Sequence, residues 1–163
     1  MQIFLPYADI EQSARVLDTQ RLMKQRVESY QILNTLQGKS KGWANHPATR
    51  MVKNYQAWLC LYSIKICQEA RRRGYVDNLL PHFEREILTY PYIIQPHWLG
   101  CYLHTTHKSN LIRRKQTTMR LCFPMCPDNL PLFFGRRYEN SYALLNSLRH
   151  RDLTPRTASR LRS

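Results

Sequence analysis

Residues Asp9 to Leu36 read DIEQSARVLDTQRLMKQRVESYQILNTL, and the periodicity of this stretch decides the fold class. Asp9 followed three places later by Gln12 is a capping-box pattern, which opens a helix expected to run to about Leu36. On a helical wheel Val16, Leu22, Met23, Val27, Tyr30, Leu33 and Leu36 share one broad arc, while Gln20, Arg21, Lys24, Glu28 and Gln31 gather on the other. One side makes core and the other a polar, mostly basic surface. Arg26 falls inside the apolar arc, so it is either paired with a buried acid or aimed past the helix edge at a ligand. Working outward, Asn45-His46-Pro47 supplies a cap with proline at the first helical position of a second long helix. Arg71-Arg72-Arg73-Gly74 ends that helix, with cations at the negative end of its dipole and a glycine terminator.

Beyond these two helices the pattern continues in shorter pieces. Leu80 to Leu88 reads as a short helix, followed by an aromatic, proline-broken loop holding Tyr90, Tyr92, His97 and Trp98. Thr105 or Thr106 caps a third substantial helix to about Leu121, made basic by Lys108, Arg113, Arg114, Lys115 and Arg120. A last helix is expected near Glu139 to Leu148, and the Arg- and Ser-rich end from Arg149 reads as a disordered basic tail. There is no internal repeat and no strand-like alternation. The expected fold is mainly α: a single compact domain over 1–148, with three to five helices packed around a long first and second helix, and a tail over 149–163.

With 163 residues, 43% of them hydrophobic, the chain has enough apolar material for one core. Lys and Arg number 25 against 11 acidic residues, a net charge of +14 that attracts polyanions. Nucleic acid is the first partner this favours; double-stranded DNA is the form expected. No apolar run approaches the roughly 20 residues of a spanning helix, and no signal-peptide pattern opens the chain. A soluble, intracellular monomer located with the DNA is expected, in a prokaryotic cytoplasm or a nucleus, virus-encoded proteins included.

Five cysteines, Cys60, Cys67, Cys101, Cys122 and Cys126, are an odd count that suits reduced, buried thiols. Cys101, His104, His107, Cys122 and Cys126 lie in one stretch but include no Cys-x-x-Cys knuckle, so no metal and no cofactor are expected. P-loop, Rossmann, Gly-x-Ser-x-Gly and His-Glu-x-x-His signatures are missing. Acidic residues are scarce, and Glu28 stands out with Lys24 one turn and Arg21 two turns before it. On spacing alone this is an exposed i,i+4 ion pair worth a few tenths of a kcal/mol.

The segment Gln20-Arg21-Leu22-Met23-Lys24-Gln25-Arg26-Val27-Glu28 resembles the first helix of the bacteriophage-type pyrimidine-dimer DNA glycosylases, in which Gln, a basic residue, Leu-Met and the catalytic Glu hold the same offsets. His46-Pro47-Ala48-Thr49, opening a long helix that closes in Arg71-Arg72-Arg73-Gly74-Tyr75, is similar to the family's Ser-Pro-Thr start and Arg-Gly-Phe finish. The resemblance covers the first half of the chain well and the second loosely. Trp98-Leu99-Gly100 and His107-Lys108-Ser109-Asn110 are similar to segments of less characterised chains that begin, like this one, with Met-Gln and an apolar run to Leu-Pro.

What the resemblance implies is a DNA-repair glycosylase for a damaged or modified pyrimidine, a pyrimidine dimer first, with AP lyase activity open. In the family an α-amine attacks C1′, displaces the base and forms a Schiff base, while a glutamate stabilises the cationic sugar. An α-amine, with a reference pKa of about 7.7–8.0 against about 10.4 for lysine, is suited to that attack. Met1 and Glu28 are therefore the expected catalytic pair. Gln2 departs from the small second residue that the family exposes by losing its methionine, so Met1, Lys24 and water all stand as nucleophiles. Val27 replaces an arginine that precedes the family's glutamate. Arg21, Lys24, Arg26, His46, Arg50, Arg113, Arg114 and Lys115 are the expected DNA contacts, with Tyr90, Tyr92, His97 and Trp98 available to line the gap left by an extruded nucleotide. The alternatives are a non-catalytic nucleic-acid-binding protein that keeps the fold, and a transferase acting on free nucleotides, which leaves the charge unexplained.

Overall fold

A computed structural model describes residues 2–100, 102–114, 122–127 and 129–130. The expected last helix, the basic tail, Met1, Cys101, Lys115 and the side chain of Arg114 lie outside the described residues. Among those described the fold is helical, with no strands.

The first expected helix is two. Asp9 Oδ1 accepts from the Gln12 amide at 2.6 Å and opens α1, Ile10–Val16. Leu17 is extended, with ψ 136°, and Asp18 caps a new helix, α2, Thr19–Leu36, by accepting from the Arg21 amide at 3.0 Å. The break is fixed from far along the chain. The Arg73 guanidinium donates to Leu17 O at 2.7 Å, Arg15 O at 2.9 Å and Ala14 O at 3.3 Å, taking the carbonyls that a continuing helix would have used.

The second expected helix also divides. His46 caps α3, Pro47–Met51, its Nδ1 accepting from the Ala48 amide at 3.1 Å. The Trp98 indole then donates to Met51 O at 3.1 Å, so the Tyr55 amide turns to Val52 O instead and α4, Gln56–Arg72, starts afresh. An inserted side chain of this kind is a known cause of helix breaks. Gly74, at φ 84°, closes α4 with bonds from its own amide to Arg71 O and from Tyr75 N to Ala70 O, as the Arg-rich stretch and glycine predict.

Asp77 Oδ2 accepts from the Leu80 amide at 2.8 Å and leads into α5, Leu80–Ile87. α6 spans Leu103–Arg114, beginning ahead of the threonines expected to cap it. From Leu103 to Ile112 every residue is buried except Thr105 and Lys108, and Arg113 is exposed; Lys115 and Arg120 of the expected basic run lie outside the described residues. α4 lies at the centre against α1, α2 and α5. Trp58 and Tyr62 of α4 stack at 5.8 Å between ring centroids, and Trp58 meets Trp98 edge-on at 5.1 Å. Trp98, expected to line a ligand gap, is 1% exposed and belongs to this core. Cys60 and Cys67 are buried, as expected, whereas Cys122 is exposed and Cys126 only partly buried; burial first and Glu86 second push the Cys60 thiol up to about 12.

Candidate active site

Residues 2–6 enter the protein as a buried non-helical segment, with no strand beside it among the described residues. Buried backbone must still be hydrogen-bonded, and here side chains from three helices do it. From α2, Glu28 Oε2 accepts from the Gln2 amide at 3.1 Å, Gln25 Nε2 donates to Gln2 O at 2.6 Å, and Gln25 Oε1 accepts from the Phe4 amide at 3.0 Å. From α4, the Tyr62 hydroxyl reaches Phe4 O at 3.1 Å and Gln25 Oε1 at 2.6 Å. From α6, His107 Nδ1 accepts from the Leu5 amide and His104 Nδ1 donates to Leu5 O, both at 2.8 Å, while Asn110 Nδ2 donates to Gln2 Oε1 at 3.3 Å. His104 Nε2 accepts from the Gly100 amide at 2.9 Å, which assigns its proton to Nδ1. Burial holds His104 below the usual histidine range, its bond to Leu5 O works the other way, and Lys108 lowers it further.

Glu28 is therefore no surface ion-pair member: it is 7% exposed, with Oε2 shared by the Gln2 and Gln25 donors and Oε1 3.7 Å from Lys24 Nζ. The wheel placed it on the polar arc correctly, but part of that arc faces the entering segment. Val27, counted as core, is 44% exposed. Burial, and then the positive charge of the amino terminus, hold His46 below the usual histidine range, while Glu28 pulls it upward. The site thus joins a buried carboxylate to the start of the chain, with Lys24 beside it.

The other expected DNA contacts are dispersed. Arg21 pairs with Asp18 on its own helix. Arg26 pairs with Asp77, whose side chain is fully buried, and also donates to Val76 O at 3.1 Å; of the two readings open to it, the buried acid is the one observed. Arg50 is exposed and donates to Asn45 Oδ1 at 2.9 Å, and with Lys53, Asn54 and Thr49 it lines a polar groove of about 630 Å³. Arg113 is exposed at the end of α6 and donates to Leu130 O at 2.5 Å. Tyr92 is 67% exposed, Tyr90 packs partly on the core, and His97 is hydrogen-bonded to the Tyr55 hydroxyl at 2.8 Å. No group of three His, Cys, Asp or Glu among the described residues could hold a metal ion.

Sequence reasoning missed Gln25, Tyr62, His104, His107 and Asn110. The available signals were Gln25 three places before Glu28 and the i, i+3 spacing of His104, His107 and Asn110, and their meaning depends on what packs against them.

Residues 1–81 match the model of a family described as pyrimidine dimer DNA glycosylase. The match takes in Glu28, Gln25, Tyr62 and the entering segment, but not α6. No curated protein and no solved structure matches the chain.

Proposed function

We propose that the chain, whose residues 1–81 match the pyrimidine dimer DNA glycosylase family, excises dimerised pyrimidines from duplex DNA with its terminal amine as nucleophile and Glu28 as the stabilising carboxylate. The observation that carries this is the 3.1 Å bond from the Gln2 amide to Glu28 Oε2. Neighbouring backbone units lie less than roughly 4 Å apart, so an amine one residue ahead of Gln2 is within about 7 Å of that carboxylate however it turns. A C1′ atom between the two would meet the attacking amine on one side and negative charge on the other, and a preorganised, water-poor carboxylate stabilises a cationic sugar better than a solvated one.

Lys24, with a side chain 69% exposed, fits a phosphate contact beside the site better than the nucleophile. Arg50 and Lys53, on the groove that also includes Asn45, fit further backbone contacts, and Arg113 and His46 remain in the proposed set. Arg21 and Arg26 leave it, since Asp18 and Asp77 already engage their guanidinium groups. Attack at C1′ with release of the base leaves a Schiff base, from which loss of a C2′ proton gives β-elimination and strand cleavage. AP lyase activity is therefore part of the proposal.

The test is incubation with duplexes carrying a pyrimidine dimer or another damaged pyrimidine, scoring base release and strand cleavage separately, with borohydride trapping and peptide mapping. An adduct at residue 1, lost when one residue is added ahead of Met1, is the expected result. An adduct at Lys24 would move the nucleophile to α2, and base release without an adduct would make the reaction monofunctional. Duplex binding with no release from any lesion would leave a non-catalytic DNA-binding protein.

A further inference from the structure

Gln25 is fully buried, and all four hydrogen-bonding positions of its carboxamide are filled. The two N–H groups of Nε2 meet two acceptors, Gln2 O at 2.6 Å and Glu28 Oε2 at 3.0 Å. The two lone pairs of Oε1 face the Phe4 amide at 3.0 Å and the Tyr62 hydroxyl at 2.6 Å, whose one proton also has Phe4 O in reach at 3.1 Å. This pattern assigns the amide orientation by itself, since a flipped amide would face acceptor to acceptor and donor to donor. Burial pushes the Tyr62 phenol well above its usual range, which keeps it a donor.

We infer that Gln25 is a positioning residue that locks the Glu28 carboxylate and residues 2–4 into one register, on which the approach of a terminal amine to that carboxylate depends. This rests on the glycosylase reading above. Among the described residues no strand pairs with residues 2–4 to set their register, and a slip of one residue would shift the segment by about 3.3 Å. Gln25 grips the segment at both Gln2 O and Phe4 N, a slip of one residue would turn those two groups to the opposite side, and the same Nε2 holds Glu28 Oε2. Glutamine is required over glutamate. A carboxylate there would lie about 3 Å from that of Glu28 and from Gln2 O and would offer neither of them the N–H that Gln25 Nε2 supplies.

The test uses Gln25→Glu and Gln25→Met, which keep length but remove the donors or the whole polar head. Both are expected to lower kcat for base release by about 10- to 100-fold with KM within about threefold, the split that misplacement of reacting groups gives. Amide exchange at Gln2 and Phe4, read without DNA, should quicken by at least about tenfold. In Gln25→Glu the introduced carboxyl must share a proton with Glu28, so the acid limb of the kcat profile should move to higher pH. The charged and titratable groups around it are Glu28 and Lys24 on α2, Tyr62 on α4 and His46 at the α3 cap. Unchanged amide exchange with unchanged kcat would overturn the inference. A wild type inactive on every lesion would overturn the glycosylase reading instead, while exchange in the variants still decides whether Gln25 holds the segment. Should neither variant fold, Tyr62→Phe removes one of the four bonds: kcat reduced severalfold with Tm retained supports the role, and wild-type kcat refutes it.

Discussion

Replacing Glu28 by glutamine separates its chemical role from its structural one. The carbonyl of the new amide can still accept from the Gln2 amide and from Gln25 Nε2, now at 3.1 and 3.0 Å from Glu28 Oε2. A hydrogen bond to a charged acceptor is worth about 1.5–3 kcal/mol and a neutral one about 0.5–1.5 kcal/mol, so two of them lose about 2 kcal/mol together. The pair with Lys24 adds little, because that side chain is 69% exposed. For a chain of this size about 2 kcal/mol lowers Tm by roughly 4–8 °C, which leaves the protein folded. Removing the charge opposite a developing oxocarbenium ion should slow base release by at least about 10²-fold, or about 2.7 kcal/mol in the barrier. Single-turnover base release from a dimer-bearing duplex, beside a thermal melt and a duplex-binding titration, reads all three quantities. Release within about tenfold of wild type, with binding and folding kept, would refute the argument and leave Glu28 as an anchor for the entering segment.

Three more outcomes follow from the same contacts. Arg26→Ala strands the fully buried Asp77, and with Arg71 Nε still 4.0 Å from Asp77 Oδ2 the loss should lie near about 3 kcal/mol; denaturant unfolding showing less than about 1 kcal/mol would contradict the buried pair. His104 is held neutral by burial, so its folded pKa lies below its unfolded value. Its stabilising contribution is complete above about pH 6.5 and is lost as pH falls toward the folded value, at up to about 1.4 kcal/mol per pH unit. Comparing wild type with His104→Gln between pH 7 and 5.5 checks this, and parallel stability curves would count against it. Duplex affinity should fall steeply with salt, with a log–log slope of several units for a chain of charge +14; a flat response in a binding titration would rule out phosphate-dominated contact.

The sequence by itself determined the helical class, the caps at Asp9 and His46-Pro47, the stop at Gly74, and Glu28 as the carboxylate to watch. These are local signals: a cap or a left-handed glycine involves residues within one turn of one another, and a nine-residue motif carries its own spacing. Only the tertiary structure decided the rest. The breaks at Leu17 and after Met51 are made by Arg73 and Trp98, 56 and 47 residues away, and no window of sequence holds both partners. The choice between two readings of Arg26 was made by Asp77, 51 positions on. The same separation hid the site. A helical wheel treats one helix against water or core, and so placed Glu28 and Gln31 on one polar face. In the fold Glu28 is buried and Gln31 exposed, because a polar side chain can leave water once donors or acceptors from elsewhere replace the solvent's. For Glu28 those donors come from Gln25 on its own helix and from Gln2, 26 residues earlier; the segment that carries Gln2 also meets donors from His104 and Asn110 and an acceptor, His107, on a helix whose sequence reads as basic.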